Sequence, residues 1–197
     1  MSGTRPGGRT ATTRAKVLAA VLAELVASGY GRTSVESVAE RAGVHKTTIY
    51  RRWGNKERLV ADALEDAADV RTDVPDTGDI DADMRSLARA VMGTLATHEG
   101  AATVRAIVAE APGSTQLTAV IRGFWAARRA HVGPIIEHAI ASGQLPPTTD
   151  PSELMTYVAA PLYYQLLMTD EPLTEAAADR AAAAALAAAR AGVLSRP

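Results

Sequence analysis

Apolar residues recur at three- and four-residue spacing along nearly the whole chain, which predicts a succession of amphipathic helices and no strand. Val17, Leu18, Val21, Leu22, Leu25 and Val26 form the first stripe, closed by Gly29. Val35, Val38, Ala39 and Ala42 form a second, shorter one that stops at Gly43, a residue free to take positive φ where the chain turns sharply. Thr33, with Glu36 three residues on, fits a capping box at its start. Val44 is expected to plug the turn. A third helix of about two turns follows over His45 to Arg52. Ile49 and Trp53, four apart, face inward, which leaves Lys46, Thr47, Thr48, Tyr50 and Arg51 outward. Asn55 caps a fourth helix whose Leu59, Ala63 and Ala67 turn back toward the first three.

Asp69 to Asp83, with Pro75 and Gly78, reads as a linker. Ile80, Met84, Leu87, Ala88, Val91, Met92 and Leu95 mark a fifth helix running to about His98. Residues 101–111 make a short sixth, broken at Pro112-Gly113. Leu117 through Ile140 trace a long seventh that stops at Gly143, with Pro134 expected to bend it. After a Pro-rich loop, an eighth helix starts at Asp150 or Ser152 and runs through Met168. Thr174 caps a ninth, Ala-rich helix ending near Gly192. The fold class is therefore all-α, with about nine helices.

The formal charge of −1 hides an asymmetry. Residues 1–60 carry a net +7 and the remainder a net −8. A basic head on an acidic body suits a DNA-binding domain joined to one that avoids DNA. The expected domains are a flexible basic arm at 1–10, a DNA-binding domain at 11–55 and a second domain at 56–197. No run approaches a membrane span and no signal peptide opens the chain, which predicts a cytoplasmic protein. Cysteine is absent, so disulfides and thiolate metal sites are excluded. The four histidines are too scattered for a metal site, and no GxSxG, HExxH or phosphate-binding glycine loop predicts an enzyme or a cofactor.

Two short helices joined by a tight turn, the second with basic and hydroxyl side chains outward, have the layout of a helix-turn-helix DNA reader. Lys and Arg neutralise phosphates, Thr and Tyr bond phosphate oxygens, and Arg or Lys can fork onto guanine edges. The candidate DNA contacts are Arg32, Thr33 and Ser34 ahead of the second helix, then His45, Lys46, Thr47, Thr48, Tyr50 and Arg51. Lys56, at the start of the fourth helix, joins them, since exposed N–H groups there also favour a phosphate.

The segment from Thr13 to Leu64 resembles the TetR family of one-component bacterial regulators. The ordered features are Gly29-Tyr30, Thr33-Ser34-Val35, Val38-Ala39, Ala42-Gly43-Val44, Thr48-Ile49-Tyr50, Trp53 and Asn55-Lys56-Glu57 leading to Leu59. The chain departs from the family at His45, where Ser is usual. His is a poorer N-cap, so either the start of that helix is less well fixed or His45 itself touches DNA. Tyr50-Arg51-Arg52 replaces an aromatic pair and His, which makes the surface more basic. Gly143-Gln144-Leu145-Pro146 and Pro161-Leu162-Tyr163-Tyr164 also resemble the ligand domain of one subgroup.

The resemblance implies an N-terminal three-helix DNA-binding domain and a C-terminal domain for effector binding and dimerisation. It places the effector among the fifth to eighth helices, where His98, Trp125, Arg128, Tyr157 and Gln165 are the candidates. It pairs the last two helices with those of a second copy. Tyr163, Tyr164, Leu166 and Leu167 cover too much of one helix to face a single core, so some should meet a partner. Tyr163, Tyr164, Leu167, Ala181 and Ala185 are the candidate dimer residues. The function implied is a regulator, most simply a repressor, that binds a palindromic double-stranded DNA operator as a homodimer and is released by an apolar or amphipathic small molecule. An architectural DNA binder without effector, and an all-helical enzyme with an incidental helix-turn-helix, are the alternative classes.

Overall fold

The helices run where the apolar periodicity placed them, with ends set by caps and glycines. The computed structural model describes residues 7–69, 74–169 and 171–196. These form α1 (Gly7–Arg32), α2 (Val35–Ala42), α3 (Lys46–Trp53), α4 (Lys56–Asp69), α5 (Ile80–Leu95), α6 (His98–Glu110), α7 (Thr115–Ala141), α8 (Pro151–Tyr164) and α9 (Glu175–Arg190). A 3₁₀ turn at Ala111–Gly113 precedes α7, and one π-helical turn, Gln165–Thr169, extends α8. Among the described residues the extended structure amounts to one isolated antiparallel bridge, Thr149 to Ser195. The all-α class is as expected.

Several boundaries differ from the expectation. Of the arm expected at 1–10, residues 1–6 lie outside the described residues, and residues 7–10 are the first turn of α1. A helix nucleated by the buried Val17–Leu25 stripe gains one backbone bond for each residue it adds toward its N-terminus. Val26, assigned to that stripe, is exposed. Helical geometry breaks at Gly29, as the pattern implied, at φ 77°, ψ 167°. α7 runs through Pro134 to Ala141, the long helix expected there. α5 stops at Leu95 and α6 starts at His98.

The chain divides into two units. The first holds the described residues up to Ala67 together with Ala102–Phe124. Its core joins Val17, Leu18, Val21 and Leu25 of α1 to Val35, Val38, Ile49 and Trp53, then to Leu59, Val60 and Ala63 of α4. Ile107, Leu117 and Val120 close the same core. This unit is therefore larger than the 11–55 expected, because α4 and the α6–α7 turn share its interior.

The second unit holds Ala68–Ala101 and the chain from Trp125 onward. α5, α8 and α9 pack on one another, burying Ile80, Met84, Leu87, Leu154, Val158, Leu162, Ala178 and Leu186. The Asp-rich stretch expected as a linker is partly built into this unit. Asp79 caps α5, its Oδ1 accepting from the N–H groups of Asp81 and Ala82 at 3.0 and 3.2 Å. Asp83 is buried and accepts from the Thr77 hydroxyl at 2.7 Å and from its backbone N–H. Gln144 closes the other side: Oε1 accepts from Ile80 N and Nε2 donates to Gly78 O, both at 3.0 Å.

Candidate functional site

The helix-turn-helix forms as its apolar register requires, with one correction. Ser34, not Thr33, caps α2. Its hydroxyl accepts from Ser37 N at 3.0 Å, and the Ser37 hydroxyl accepts from Ser34 N at 3.1 Å. Glu36 takes no part. Thr33 is only 3% exposed, and its hydroxyl donates to Gly29 O at 2.7 Å. It ties α2 to the kink in α1, so its side chain is not offered to DNA. Gly43 adopts φ 66°, ψ 37°, and its N–H bonds back to the end of α2. Val44 packs against the core as the plug.

α3 presents a cationic and hydroxylic face. Ile49 and Trp53 are buried, while His45, Lys46, Thr47, Tyr50, Arg51 and Arg52 are exposed and Thr48 is half-buried. The helix has no acidic residue. Lys46 lies 3.5 Å from Glu36 across an exposed gap, a pair weak enough to exchange for a phosphate. His45 stands at the N-cap without a side-chain capping bond, in line with its poor capping chemistry. Arg32 is exposed and donates to Ser28 O at 2.9 Å. Lys56 is turned inward: its ammonium donates to Tyr30 O at 3.0 Å and sits 4.0 Å from the Tyr30 ring centre. It holds the start of α4 to the end of α1, a role the α4 N-terminus alone did not suggest.

Beneath α3 lies a polar network that spacing along the chain could not reveal. Trp53 Nε1 donates to Asp62 Oδ2 at 2.8 Å. Arg14 of α1 bonds Asp62 through Nη2 at 2.5 Å and also reaches Asp66. Burial alone would raise the Asp62 pKa, but bonds from Arg14 and Trp53 and the charges of Arg14 and Arg52 hold it below the usual carboxylate value. The one readable signal was Trp53 itself, because a buried indole N–H needs an acceptor.

Tyr30 is 5% exposed, and its hydroxyl is buried without a hydrogen-bond partner among the described residues. Burial, assisted by the charge of Glu57, pushes its pKa up to about 12. An unfolded tyrosine ionises near 10. Between these values the unfolded chain has lost a proton that the folded chain keeps, so stability falls as pH rises above about 10. Tyr30→Phe should unfold within about 1 kcal/mol of the parent at neutral pH, since no bond is lost. It should then keep its stability through pH 11 while the parent declines. Urea unfolding at pH 8 and 11 measures this; equal declines would place the alkaline sensitivity elsewhere.

In the second unit the expected effector residues separate. Trp125 of α7 meets Tyr163 of α8 edge to face, with ring centres 5.6 Å apart at 66°. Arg128 is buried one turn on along α7, and its charge partly offsets the upward push that burial gives the Tyr163 phenol. Tyr163, expected at a dimer contact, thus belongs with Trp125 and Arg128. Tyr157 is 47% exposed and shares an outward stripe with Tyr164 two turns later. His98 is exposed at the start of α6. Gln165 is half-buried, and its amide reaches Glu171 at 3.4 Å.

The dimer candidates divide likewise. Ala181 and Ala185 are buried within the chain itself, 5% and 2% exposed, because they lie on the stripe of α9 that faces α5 and α8. The side of α9 turned away carries Ala176, Arg180, Ala183, Ala184 and Ala187. The corresponding side of α8 carries Tyr157, Ala160, Pro161 and Tyr164, and Met168 follows in the π turn. Tyr164 is 60% and Met168 71% exposed; Leu167 is half-buried. No helix among the described residues is long and apolar enough to cross a membrane, and these residues contain no cluster able to hold a metal ion.

Residues 17–63 match the family described as bacterial regulatory proteins, tetR family. Residues 74–185 match the family described as tetracyclin repressor-like, C-terminal domain. The HTH-type transcriptional regulator AqdR of Rhodococcus erythropolis is 32% identical over 149 residues, covering 76% of this chain and 72% of that one. The DNA-binding transcriptional repressor TetR of Mycobacteroides abscessus is 44% identical over 77 residues, 39% of this chain and 40% of that one. The crystal structure of the TetR family transcription regulator SCO0332 superposes with a TM-score of 0.71 at 31% identity, covering 89% of this chain and 97% of that one. With both of its units matched and a helix-turn-helix in place, the chain is a transcriptional regulator rather than an enzyme and belongs to the TetR family.

Proposed function

We propose that the chain is a homodimeric repressor that grips a palindromic operator through α3 of each subunit and releases it when a small molecule enters the body. The observation that carries this reading is α3. It has two buried anchors on one side, an uninterrupted basic and hydroxyl face on the other, and no acidic residue. A relative matching the head carries the description of a DNA-binding repressor. The outward apolar side of α8 and α9 supports pairing with a second copy, since such a patch on a regulator's surface marks an interface. Trp125, Tyr163 and Arg128 support an amphipathic effector: two rings offer apolar contact and a buried guanidinium offers one fixed charge.

Selection of duplexes from a random library, followed by footprinting, tests the reading. A palindrome with half-sites about one helical turn apart is expected. Lys46→Ala should weaken binding and reduce the salt slope by about one unit if it meets a phosphate. Tyr50→Ala and Arg51→Ala should weaken binding as well, and a base contact by Arg51 would relax one operator position at a cost of about 1–3 kcal/mol. Protection that is salt-sensitive but independent of sequence would refute operator recognition. Unchanged affinity in all three variants would show that another face docks.

A further inference from the structure

α3 is held from its far end. At its start, His45 supplies no side-chain cap. At its end, Gly54 N bonds Tyr50 O at 2.9 Å with Gly54 at φ 78°, and Trp53 is pinned through its indole N–H to Asp62 at 2.8 Å. Ile49 and Trp53 form the seam on which α3 rests, and an apolar seam alone lets a short helix roll. A roll of about 10° at the side-chain radius of about 5–6 Å moves the outward tips by about 1 Å. That exceeds the tolerance of about 0.5 Å for a working contact. The bond to Asp62 removes this freedom, because it fixes the angle of the indole ring in its pocket. Asp62 is itself held in place: Arg14 of α1 forks onto it through Nη2 and Nε, at 2.5 and 3.2 Å. Arg52 lies 5.3 Å from the Trp53 ring centre and covers its outer side.

We infer that Asp62 is a positioning residue for operator recognition, which sets the roll of α3 through its hydrogen bond from Trp53. The inference rests on α3 being the DNA reader. Phosphate contacts made by flexible lysines and arginines tolerate a small roll, whereas base-edge contacts do not. The signature is therefore a loss of specific binding with non-specific binding retained. Asp66 separates positioning from packing: it also bonds Arg14, whereas the Trp53 indole N–H goes to Asp62.

The test uses the full chain, a duplex selected by the wild-type protein from a random library, and a shuffled duplex of equal length. Trp53→Phe keeps an aromatic ring, though a smaller one, and removes the donor; Asp62→Asn keeps an acceptor and removes the charge that orients it. Both should lose about tenfold or more in affinity for the selected duplex, the scale of a hydrogen bond to a charged group. Both should hold the shuffled duplex within about twofold, with helix content unchanged. Asp66→Asn should bind both duplexes as the wild type does. The Trp53 indole N–H resonance should move in Asp62→Asn and stay in Asp66→Asn. The inference is overturned if Trp53→Phe binds the selected duplex normally, if both duplexes are lost together, or if Asp66→Asn loses as much as Asp62→Asn. If the wild type enriches no duplex, the DNA-reading assignment falls and this inference with it; the other outcomes leave that assignment standing.

Discussion

With the pairing proposed for the outward side of α9, Ala184→Glu is expected to give folded monomers, whereas Ala185→Glu, one residue along, is expected to unfold the second unit. Ala184 lies on the outward stripe of α9 and Ala185 is 2% exposed against the chain's own core. An unpaired charge in a buried site costs about 3–5 kcal/mol. In Ala185→Glu that cost falls on folding, whose whole margin is about 5–15 kcal/mol. In Ala184→Glu it falls on association, and twice, because a two-fold interface repeats every residue. The monomer has one reading head. Losing the tethered second head should lower affinity for the palindrome by about 10²–10⁴. Light scattering, circular dichroism and gel shift on the two variants check this. A dimeric Ala184→Glu protein at micromolar concentration would place the interface off the outward side of α9.

Gly29→Ala is expected to be far more costly than Gly43→Ala, although both residues have positive φ. Gly43 sits at φ 66°, ψ 37°, and nothing lies within 4 Å of the place an added methyl group would take; alanine there should cost about 1–2 kcal/mol, the ordinary left-handed penalty. Gly29 sits at φ 77°, ψ 167°, a region that only glycine enters without strain of about 1–3 kcal/mol. Its added Cβ would also collide with the Glu110 carboxylate, which accepts from Gly31 N beside it. Displacing that carboxylate leaves the Gly31 N–H without its acceptor, a further cost of about 1–3 kcal/mol. The total of about 2–6 kcal/mol approaches the stability of a small domain. Glu110→Ala removes the same Gly31 bond, so adding it to Gly29→Ala should cost little more, and the double variant should be less than additive. Denaturant titration of the parent, the three single variants and the double variant decides it. Equal losses for the two glycines would mean that α6 does not clasp α1 in solution.

The head was legible because its signals are local. Ile49 and Trp53 face inward by spacing, Gly43 stops α2, and the outward residues of α3 follow by subtraction. The capping residue was misplaced by one position because Thr33 and Ser34 are adjacent hydroxyls. What separates them is the kink at Gly29, whose carbonyl engages Thr33 and leaves Ser34 to cap. Arg14 and Glu110 gave no signal at all, since their partners lie tens of residues away, and the need of the Trp53 indole for an acceptor did not say that Asp62 supplies it. The body was less legible for a different reason. Alanine suits a core and a surface equally, so α9 has no strong apolar face in its sequence, and Ala184 and Ala185 look alike until packing distinguishes them. In α8, Tyr157 turns outward because the stripe facing α5 and α9 runs through Met155, Val158, Ala159 and Leu162, while Tyr163 meets Trp125.

Three helices, α4, α6 and α7, each begin in one unit and end in the other. The DNA-reading module is therefore not a cassette that recombination can move as a single gene segment. A fragment ending at residue 67 lacks Ile107, Leu117 and Val120, and so exposes apolar surface that those side chains cover in the whole protein. A chimera that exchanges reading heads between relatives must carry residues 102–124 from the same parent as residues 7–67. Divergence of the two segments is thereby tied together: a change in the core of one has to be matched in the other, which are separated by more than thirty positions in the chain.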